Sequence, residues 1–522
     1  MTSDPYLRPV FTARQRMQFH CLIVVWLATL AIFWAWWLNP THVVELSTYL
    51  ISSIVVAWWL FLPGYFFFFL ARMYQPRPDL PIPASLRVAM IVTKAPSEPW
   101  AVVQGTLLAM LAQPRPHDTW LADEDPTPET FGWCAERGVR VSTRRGISAY
   151  HRPTWPRRTR SKEGNLAYFY DTNGYAAYDV VVQLDADHRP AFGYLDAMLR
   201  PFADPGVGYV TAPSVCDGNT ARSWAARARL YVEATLHGSL QAGYNHGWAP
   251  LCIGSHYAIR TAALREIGGL GPELAEDHST TLLLNAAGWH GVHAMDAEAH
   301  GDGPLTFADC MTQEFQWARS LGAILFTVTP GCWRRLSPRL RAQFLFTQLW
   351  YPLFGMMMLL AYLVPLFALA THHAWVNVSY PVFLLLGLLC SASALLIVGW
   401  VRSCGWMRPP ETPLISWEAI AYQMARWPWV LLGSLTSVLD VLARKPFAFR
   451  VTPKGAKTSP ALPIRVLAPY LVLIALSGAG AIAVNEAGEA VGYYYFAILN
   501  SVVYAAVAAL IIAMHGHETA RD

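Results

Sequence analysis

The stretch DVVVQLDAD, residues 179–187, decides the fold of this chain, because a continuous apolar run ends abruptly in two carboxylates. A short apolar run of this kind is typical of a strand buried in a parallel sheet. Alternate residues of an extended segment point to the same side, so Asp185 and Asp187 face one way. Two carboxylates so placed predict a site for Mg²⁺ or Mn²⁺, whose other ligands are diphosphate oxygens. A solvated strand end is the alternative, since D-x-D alone is a frequent pattern.

Three further strands precede this one and alternate with helical patterns. They are RVAMIVTKA (87–95), HDTWLADED (117–125) and GVRVSTR (138–144), and WAVVQGTLLAMLA (100–112) has the apolar spacing of a helix. Strands that alternate with helices predict an open α/β sheet, whose ligand lies at the carboxyl ends of the strands.

The composition places this domain in a membrane protein. Of the 522 residues, 54% are hydrophobic and 14% are charged, and the mean hydropathy is +0.28. Ordinary soluble domains are about 45–50% apolar and about 25% charged, so a plain cytosolic enzyme and a disordered chain are both excluded. The eight cysteines are scattered without a C-x-x-C pair and predict neither disulfides nor zinc. The net charge of +4 is spread along the chain and does not suggest nucleic acid as a partner.

Six stretches are long and apolar enough to cross a bilayer of about 30 Å. They are 19–38, 50–71, 350–370, 379–401, 466–484 and 491–514. Short connections at 39–49, 371–378 and 485–490 contain no Lys or Arg, whereas the other flanks contain several. By the positive-inside rule, both termini and both long polar blocks lie in the cytoplasm, as expected for a multi-pass protein of the inner cell membrane.

These spans divide the chain into five parts. WEAIAYQMARWPWVLLGSLTSVLDVLARK (417–445) is apolar on one side but interrupted by charges, which favours an interfacial helix over a seventh span. The predicted parts are an N-terminus with two spans (1–72), a cytosolic α/β domain (73–343), two spans (344–402), the interfacial helix and a loop (403–465), and two spans with a short tail (466–522).

Two polar positions accompany the strand that ends in Asp185. Asp123 ends the HDTWLAD strand at the edge of the predicted crevice, although a turn residue is the alternative. Lys162 lies in SKEGNLAY (161–168), just before the D-x-D strand. A lysine there can neutralise diphosphate, whereas a surface lysine is the commoner case.

Two more motifs follow the sheet. LAEDHST (274–280) places Glu276 beside Asp277, a candidate general base, although a helix N-cap explains the aspartate nearly as well. QEFQWARS (313–320) contains Trp317, whose face suits a sugar ring, although a core tryptophan is commoner. Each motif is weak alone, and their order carries the argument.

The order Asp123, Lys162, Asp185-Ala-Asp187, Glu276-Asp277 and Gln313…Trp317 resembles that of the family 2 membrane-integrated processive glycosyltransferases, which include cellulose, curdlan, chitin and hyaluronan synthases. The resemblance covers roughly residues 85–457 and the flanking spans. FRVTPKG (449–455) looks like the F-x-V-T-x-K-G gating loop of bacterial cellulose synthase catalytic subunits. In that family the loop closes over the UDP-sugar.

The resemblance implies an α-helical membrane protein with an inserted cytosolic α/β domain of the GT-A-like, nucleotide-diphospho-sugar transferase type. It implies inverting, processive transfer of glucose from UDP-glucose to a growing β-glucan that is translocated across the bilayer. The implied partners are the UDP-sugar donor, a glycan acceptor, the lipid bilayer and export proteins. A non-processive transferase with a lipid acceptor, and a chitin- or hyaluronan-type synthase using UDP-N-acetylglucosamine, stay as alternatives.

The same resemblance implies a role for each motif residue. Asp277, with Glu276 beside it, is the expected catalytic base. Asp185 and Asp187 are expected to hold Mg²⁺ or Mn²⁺, and Gln313, Trp317, Gly254 and Ser255 to meet the acceptor. The residues expected to contact the UDP-sugar are Thr93, Glu98, Asp123, Lys162, Asp185, Arg319, Thr452 and Lys454.

The sequence departs from the family pattern in three places. Gln316 stands where Q-x-x-R-W has Arg, Ala275 stands where T-E-D has Thr, and Ile253 stands where F-F-C-G-S has Cys. These changes concern the diphosphate contact, the linkage and the acceptor, and leave the reaction type intact. The chain ends in MHGHETARD, so no cyclic-di-GMP-binding PilZ domain is expected.

A transporter and a non-catalytic scaffold are the alternatives to an enzyme. A transporter calls for charges within its spans and a G-x-x-x-x-G-K-[ST] loop, and the sequence has almost no such charges and no such loop. A non-catalytic scaffold predicts decayed carboxylates, whereas Asp123, Asp185, Asp187 and Asp277 are all present.

Overall fold

A computed structural model of the chain describes residues 4–272, 275–445, 461–483 and 491–520. Most of its strands lie between the second and third long apolar helices. The strands are β1 (Leu7–Pro9), β2 (Tyr74–Pro76), β3 (Val88–Lys94), β4 (Asp118–Asp123), β5 (Arg140–Ser142), β6 (Val180–Leu184), β7 (Arg189–Pro190), β8 (Val207–Thr211), β9 (Ser214–Val215), β10 (His256–Arg260), β11 (His290–His293) and β12 (Ala299–His300).

Helices surround the sheet and make up most of the remaining chain. They are α1 (Ala13–Trp37), α2 (Leu46–Leu70), α3 (Trp100–Leu111), α4 (Pro128–Glu136), α5 (Lys162–Phe169), α6 (Tyr175–Ala177), α7 (Tyr194–Leu199), α8 (Trp224–Thr235), α9 (Gln241–Tyr244), α10 (Thr261–Glu266), α11 (Glu276–Ala286), α12 (Phe307–Thr327), α13 (Thr329–Cys332), α14 (Pro338–Thr371), α15 (Tyr380–Ser403), α16 (Trp417–Leu442), α17 (Ala468–Ala483) and α18 (Val491–Thr519). A π-helical turn, Leu236–Leu240, joins α8 to α9.

The central sheet has the strand order β11-β8-β10-β6-β3-β4-β5 in the described residues. β3 is parallel to β4 and to β6, which confirms the α/β sheet expected from the sequence. β10 is antiparallel to both β6 and β8, so the sheet is mixed. The alternation of strands with helices before residue 187 did not predict this inserted strand.

Burial of the central strands explains their apolar sequences. Every residue of β3 and every residue of β6 is buried, and the strands contribute to apolar clusters on both faces of the sheet. In the parallel register, Lys94 of β3 pairs with Asp123 of β4, and Val92 pairs with Leu184 of β6. The polar ends of these three strands therefore lie side by side at one edge, where open α/β sheets bind ligands.

Five helices in the described residues are long and apolar enough to cross a membrane. They are α1, α2, α14, α15 and residues Gly492–Thr519 of α18. Each overlaps a span expected from the sequence. The remaining expected span, 466–484, corresponds to the shorter apolar helix α17, of 16 residues.

α16 has two unlike sides. One side exposes leucines, with Leu439 at 64% and Leu442 at 76% exposure. The other side carries the three charges that interrupt its sequence, and each forms an ion pair with α8 or α12: Glu418 with Arg227 at 3.1 Å, Arg426 with Glu314 at 3.3 Å, and Asp440 with Arg319 at 2.6 Å. α16 is thus an amphipathic helix whose polar side is attached to the domain that contains the sheet.

Candidate active site

The two carboxylates after β6 lie at the polar edge of the sheet. Asp185 directly follows the last buried residue of β6, and its backbone N–H donates to the Ser255 carbonyl at 2.7 Å. The antiparallel strand β10 begins at His256, opposite Leu184, which brings the residues before it to the same edge. This pairing explains why Gly254 and Ser255 lie beside Asp185, 70 residues away in sequence.

Lys162 connects these two segments. Its Nζ lies 2.7 Å from Asp185 Oδ1 and also donates to the Gly254 carbonyl. Ser161 caps the helix that begins at Lys162, since its hydroxyl accepts from the Gly164 N–H at 3.1 Å. The sequence-predicted lysine is therefore held by a helix N-terminus, with its ammonium at the D-x-D carboxylate.

Asp187 is more deeply buried than Asp185 and has a histidine partner. Its Oδ1 lies 3.2 Å from His188 Nδ1, and His188 Nε2 lies 3.0 Å from Ser214 Oγ. Although burial disfavours the charged imidazole, Asp187 outweighs burial and raises the pKa of His188 to about 10. Ser214 Oγ also accepts a hydrogen bond from Ser255 Oγ at 2.8 Å.

The donor set at this strand end fits a divalent cation. Ligand atoms of Asp185, Asp187 and His188 all lie within 4.8 Å of one another, and carboxylate oxygens are the ligands that Mg²⁺ and Mn²⁺ prefer. Both ring nitrogens of His188 already contact protein oxygens. We therefore assign the two aspartates as candidate ligands and His188 as the residue that orients Asp187, a typical role for a partner of a metal ligand.

Glu276 and Asp277 lie in the first turn of α11, close to Gly254. Asp277 Oδ1 accepts from the His278 N–H at 2.7 Å. A Cβ added to Gly254 would lie 3.2 Å from Asp277 Oδ2, so only a glycine allows this close approach without displacement. Ala275 is the N-cap residue of α11, so Asp277 does not cap this helix.

Burial raises the pKa of both acids of this turn. For Asp277, burial outweighs the hydrogen bonds from the His278 and Gly254 N–H groups and the nearby Lys162, which lower the pKa. For Glu276, burial and the negative Asp277 raise the pKa to about 8. Glu276 Oε1 is buried without a hydrogen-bond partner in the described part of the chain, which suits a protonated acid. A raised carboxylate pKa is typical of general acids and bases.

Replacement of Glu276 by Gln is expected to stabilise the protein at high pH. A folded-state pKa of about 8, against 4.5 in the unfolded chain, means that the folded state retains a proton that the unfolded chain has lost. Stability of the wild type therefore falls as the pH rises between these values. We expect equal melting temperatures near pH 4 and a Tm several degrees higher for Glu276→Gln near pH 8.5, measured without nucleotide or metal.

Glu266→Gln is the matched control, because Glu266 is an exposed acid of the same domain that accepts a hydrogen bond from Trp289 Nε1. This control is expected to show no such pH-dependent difference. A stabilisation by Glu276→Gln that is the same at pH 4 and pH 8.5 would contradict the raised pKa of Glu276.

Three of the residues expected to contact the UDP-sugar lie at or just after the ends of β3 and β4. Thr93 and Asp123 are buried there, and Lys94 Nζ lies 3.2 Å from Asp123 Oδ1. Asp123 Oδ2 is buried and has no hydrogen-bond partner among the described residues. Glu98 accepts from the Ala95 N–H at 2.7 Å, which fixes the turn that follows β3. This oxygen of Asp123 can therefore accept a hydrogen bond from an N–H group of a ligand in the crevice.

The expected acceptor residues lie on α12. Trp317 is half-buried, and the guanidinium carbon of Arg229 lies 4.3 Å from the centroid of its ring. Arg229 Nη1 also donates to Gln313 Oε1 at 2.9 Å. The structure therefore joins the two sequence-predicted residues of this motif through an arginine of α8.

Two other expectations concern Arg319 and the FRVTPKG motif. Arg319, which was expected to contact the UDP-sugar, has its Nε and Nη2 at 2.7 Å and 2.6 Å from Asp440 of α16. Thr452 and Lys454 of the FRVTPKG motif lie outside the described residues.

Sequence reasoning did not select His188 or Arg229. His188 follows the D-x-D motif directly, and this adjacency was an available signal. Arg229 lies 84 residues before Gln313, on a helix with no recognised motif, and no local pattern indicates the contact.

Comparisons with known proteins show which family the sheet-containing region resembles. Residues 180–398 match the family model described as glycosyl transferase family group 2. The chain therefore contains a region of the glycosyltransferase family 2 type, which begins in β6 and extends into α15, together with several helices able to cross a membrane. This match agrees with the family 2 glycosyltransferases that the motifs resemble.

Among curated proteins, the chain is similar to cellulose synthase catalytic subunits. It is 27% identical over 278 residues to the UDP-forming catalytic subunit of Xanthomonas axonopodis pv. citri, covering 51% of this chain and 36% of that protein. It is 26% identical over 302 residues to the subunit of Komagataeibacter sucrofermentans, covering 55% and 37%. The matched region thus spans little more than a third of these relatives.

Among solved structures, the chain is similar to a mannosyltransferase from Pyrobaculum calidifontis in complex with GDP-Man and Mn²⁺. The identity is 16%, the TM-score is 0.47, and the match covers 75% of this chain and 98% of that one.

Proposed function

We propose that this protein is an inverting, processive glycosyltransferase that transfers glucose from UDP-glucose to a growing β-glucan and passes the polymer across the membrane. The observation that carries the proposal is the meeting of three segments at one sheet edge. Lys162 contacts both Asp185 and Gly254, and Gly254 approaches Asp277. The names of the relatives support UDP as the leaving nucleotide and glucan as the product.

In this proposal, Asp185 and Asp187 hold Mg²⁺ or Mn²⁺. A bound divalent cation supplies positive charge to the diphosphate of the donor. The chain adds its own charge there, because the Lys162 ammonium lies at Asp185, where the diphosphate would lie. Thr93, Glu98 and Asp123 face the uridine, and the orphaned Oδ2 of Asp123 accepts from a base N–H.

Asp277 is the proposed general base. Its carboxylate accepts the proton of an acceptor hydroxyl as that oxygen attacks the anomeric carbon of the sugar. The new glycosidic bond forms on the face opposite the departing UDP, which leaves with the electron pair of the broken bond. The raised pKa of Asp277 supports this role, since a stronger base accepts a hydroxyl proton more readily.

The acceptor end of the glucan lies on Trp317 and Gln313, with Gly254 and Ser255 beside the base. An indole face binds a pyranose ring through apolar contact without fixed hydrogen bonds. Thr452 and Lys454 of the proposed gating loop would close over the bound UDP-sugar.

The proposed topology has six spans and both termini in the cytoplasm of a cell with an inner membrane. The proposed domain boundaries follow from it: 1–72, 73–343, 344–402, 403–465 and 466–522. α16 lies along the cytosolic membrane surface, with its exposed leucines toward lipid and its ion-paired side toward the catalytic domain. Its paired charges support this placement, because they are occupied by α8 and α12.

The test of the reaction is product formation by the purified full-length protein. We expect incorporation of radiolabel from UDP-glucose into a polymer that a β-glucan-specific glycanase digests. UDP-N-acetylglucosamine serves as the competing donor. Incorporation from that donor alone, or a product resistant to every β-glucanase, would contradict the proposed sugar while leaving the glycosyltransferase domain in place.

Translocation makes a separate prediction. In sealed vesicles with the catalytic domain outward, UDP-glucose added outside is expected to give polymer that external glycanase cannot reach until detergent is added. At least about nine tenths of the label is expected to be protected. Label that stays accessible outside, and that extracts into organic solvent, would instead indicate non-processive transfer to a lipid acceptor.

A further inference from the structure

The ring of Trp317 has a cation on one face. Arg229 lies 4.3 Å from the ring centroid, and its side chain is 15% exposed. A guanidinium stacked on an indole is attracted by the electrons of the ring, and the attraction grows when water is excluded. Because Arg229 covers one face, a pyranose ring can use only the other face. The orientation of the proposed acceptor platform therefore depends on this arginine.

Arg229 is also held by an ion pair with Glu233. The Nε of Arg229 lies 3.1 Å from both carboxylate oxygens of Glu233, one turn further along α8. Burial alone would raise the pKa of Glu233, but Arg229 and His237 outweigh it and hold this pKa at about 2. Arg229 therefore favours the charged carboxylate of Glu233, 3.1 Å away.

The same helix continues toward the D-x-D side of the site. His237 lies 3.5 Å from Glu233 and its Nδ1 accepts from the Ser214 N–H at 3.5 Å. Ser214 Oγ contacts His188, the partner of Asp187. His237 falls within the π-helical turn between α8 and α9, and such turns are frequent at functional sites.

A chain of polar contacts therefore runs from the candidate metal ligands to the acceptor platform. We propose that Arg229 is a positioning residue that fixes Trp317 and Gln313 for the acceptor end of the glycan, and that Glu233 fixes Arg229. This inference rests on the proposed function, because it takes Trp317 as the acceptor platform. Arg229 acts through these two side chains and does not take part in the chemical step.

The experiment compares variants of the full chain in detergent, with UDP-glucose as donor and a cello-oligosaccharide as acceptor. Arg229→Gln is expected to raise the KM for the acceptor about tenfold, as expected for loss of a largely desolvated cation–π contact. The Kd for UDP is expected to change less than twofold. Arg229→Lys keeps a cation near the ring and is expected to recover most of the loss, and Glu233→Gln is expected to lie between them.

Arg227→Gln is the matched control. Arg227 lies on the same helix and also forms an ion pair, but its partner is Glu418 of α16, at 3.1 Å. This variant is expected to leave the acceptor KM unchanged. Acceptor KM values of Arg229→Lys, Arg229→Gln and Glu233→Gln that all equal that of the wild type would overturn the inference, as would an equal rise in Arg227→Gln.

The two proposals fail in different ways. A wild type that neither binds UDP nor extends the oligosaccharide contradicts the proposed function itself. A wild type that does both, with unaltered acceptor KM in the variants, contradicts only the role of Arg229. If Arg229→Gln does not fold, as judged by size exclusion, Arg229→Lys and Glu233→Gln still decide the question.

Discussion

We expect Asp277→Asn to lower the kcat of sugar transfer by about 10²–10⁴-fold, which is the usual contribution of a general base. Asparagine keeps the shape of the side chain and still accepts the His278 N–H, but it has no lone pair basic enough for a hydroxyl proton. The Kd for UDP is expected to change less than twofold, since Asp277 is assigned to the acceptor hydroxyl and not to the nucleotide. Initial rates of polymer formation and calorimetric UDP binding measure the two effects.

Glu266→Gln again serves as the control, and it is expected to keep the wild-type rate and the wild-type affinity for UDP. Transfer by Asp277→Asn at more than a hundredth of the wild-type rate would remove this residue from the role of base. A parallel loss of UDP binding would show instead that the substitution disturbs the donor site.

Removal of the divalent cation is expected to have a comparable effect. Treatment with EDTA should lower transfer at least about 100-fold, because a bound metal contributes several kcal/mol of charge stabilisation. Excess Mg²⁺ or Mn²⁺ should restore the wild type but not Asp187→Asn. Electron paramagnetic resonance of added Mn²⁺ gives a reading that is independent of turnover: the wild type should bind the ion, and Asp187→Asn should bind it much more weakly.

His188→Ala tests the orienting role of His188 separately from the ligand role of Asp187. Loss of an orienting partner typically costs 10–100-fold in metal affinity or activity. We therefore expect weaker Mn²⁺ binding that excess metal overcomes, unlike the loss in Asp187→Asn. Full transfer by the wild type in EDTA would refute the metal assignment, and an unchanged Mn²⁺ affinity in His188→Ala would refute the orienting role.

The sequence predicted those features that depend on local pattern. The apolar run before Asp185 is a fully buried strand, and Asp123 lies at the end of a neighbouring parallel strand, as expected. Lys162 was selected from a motif and lies at Asp185. In the residues that the structure describes, five of the six apolar stretches form helices long enough to cross a bilayer, because length and hydropathy are properties of the stretch itself.

Features that depend on tertiary pairing were beyond reach of the sequence. The antiparallel strand β10 brings Gly254 to Lys162, and no periodicity reveals which strands pair. Arg319 was expected to contact the UDP-sugar, and no local pattern indicates its additional contact with Asp440, 121 residues later. A charge in a sequence shows that a partner is needed, but not which one.

The ion pairs of α16 also bear on whether the catalytic part can exist as a soluble fragment. A fragment that ends before Trp417 would leave Glu314, which is 1% exposed, without Arg426. Loss of one partner of a buried ion pair costs about 3–5 kcal/mol, a large share of the stability of an ordinary domain. The ion pairs of Arg227 with Glu418 and of Arg319 with Asp440 would be lost as well. We therefore expect a fragment without the membrane-associated segments to aggregate. The whole chain is expected to need detergent or lipid to stay in solution.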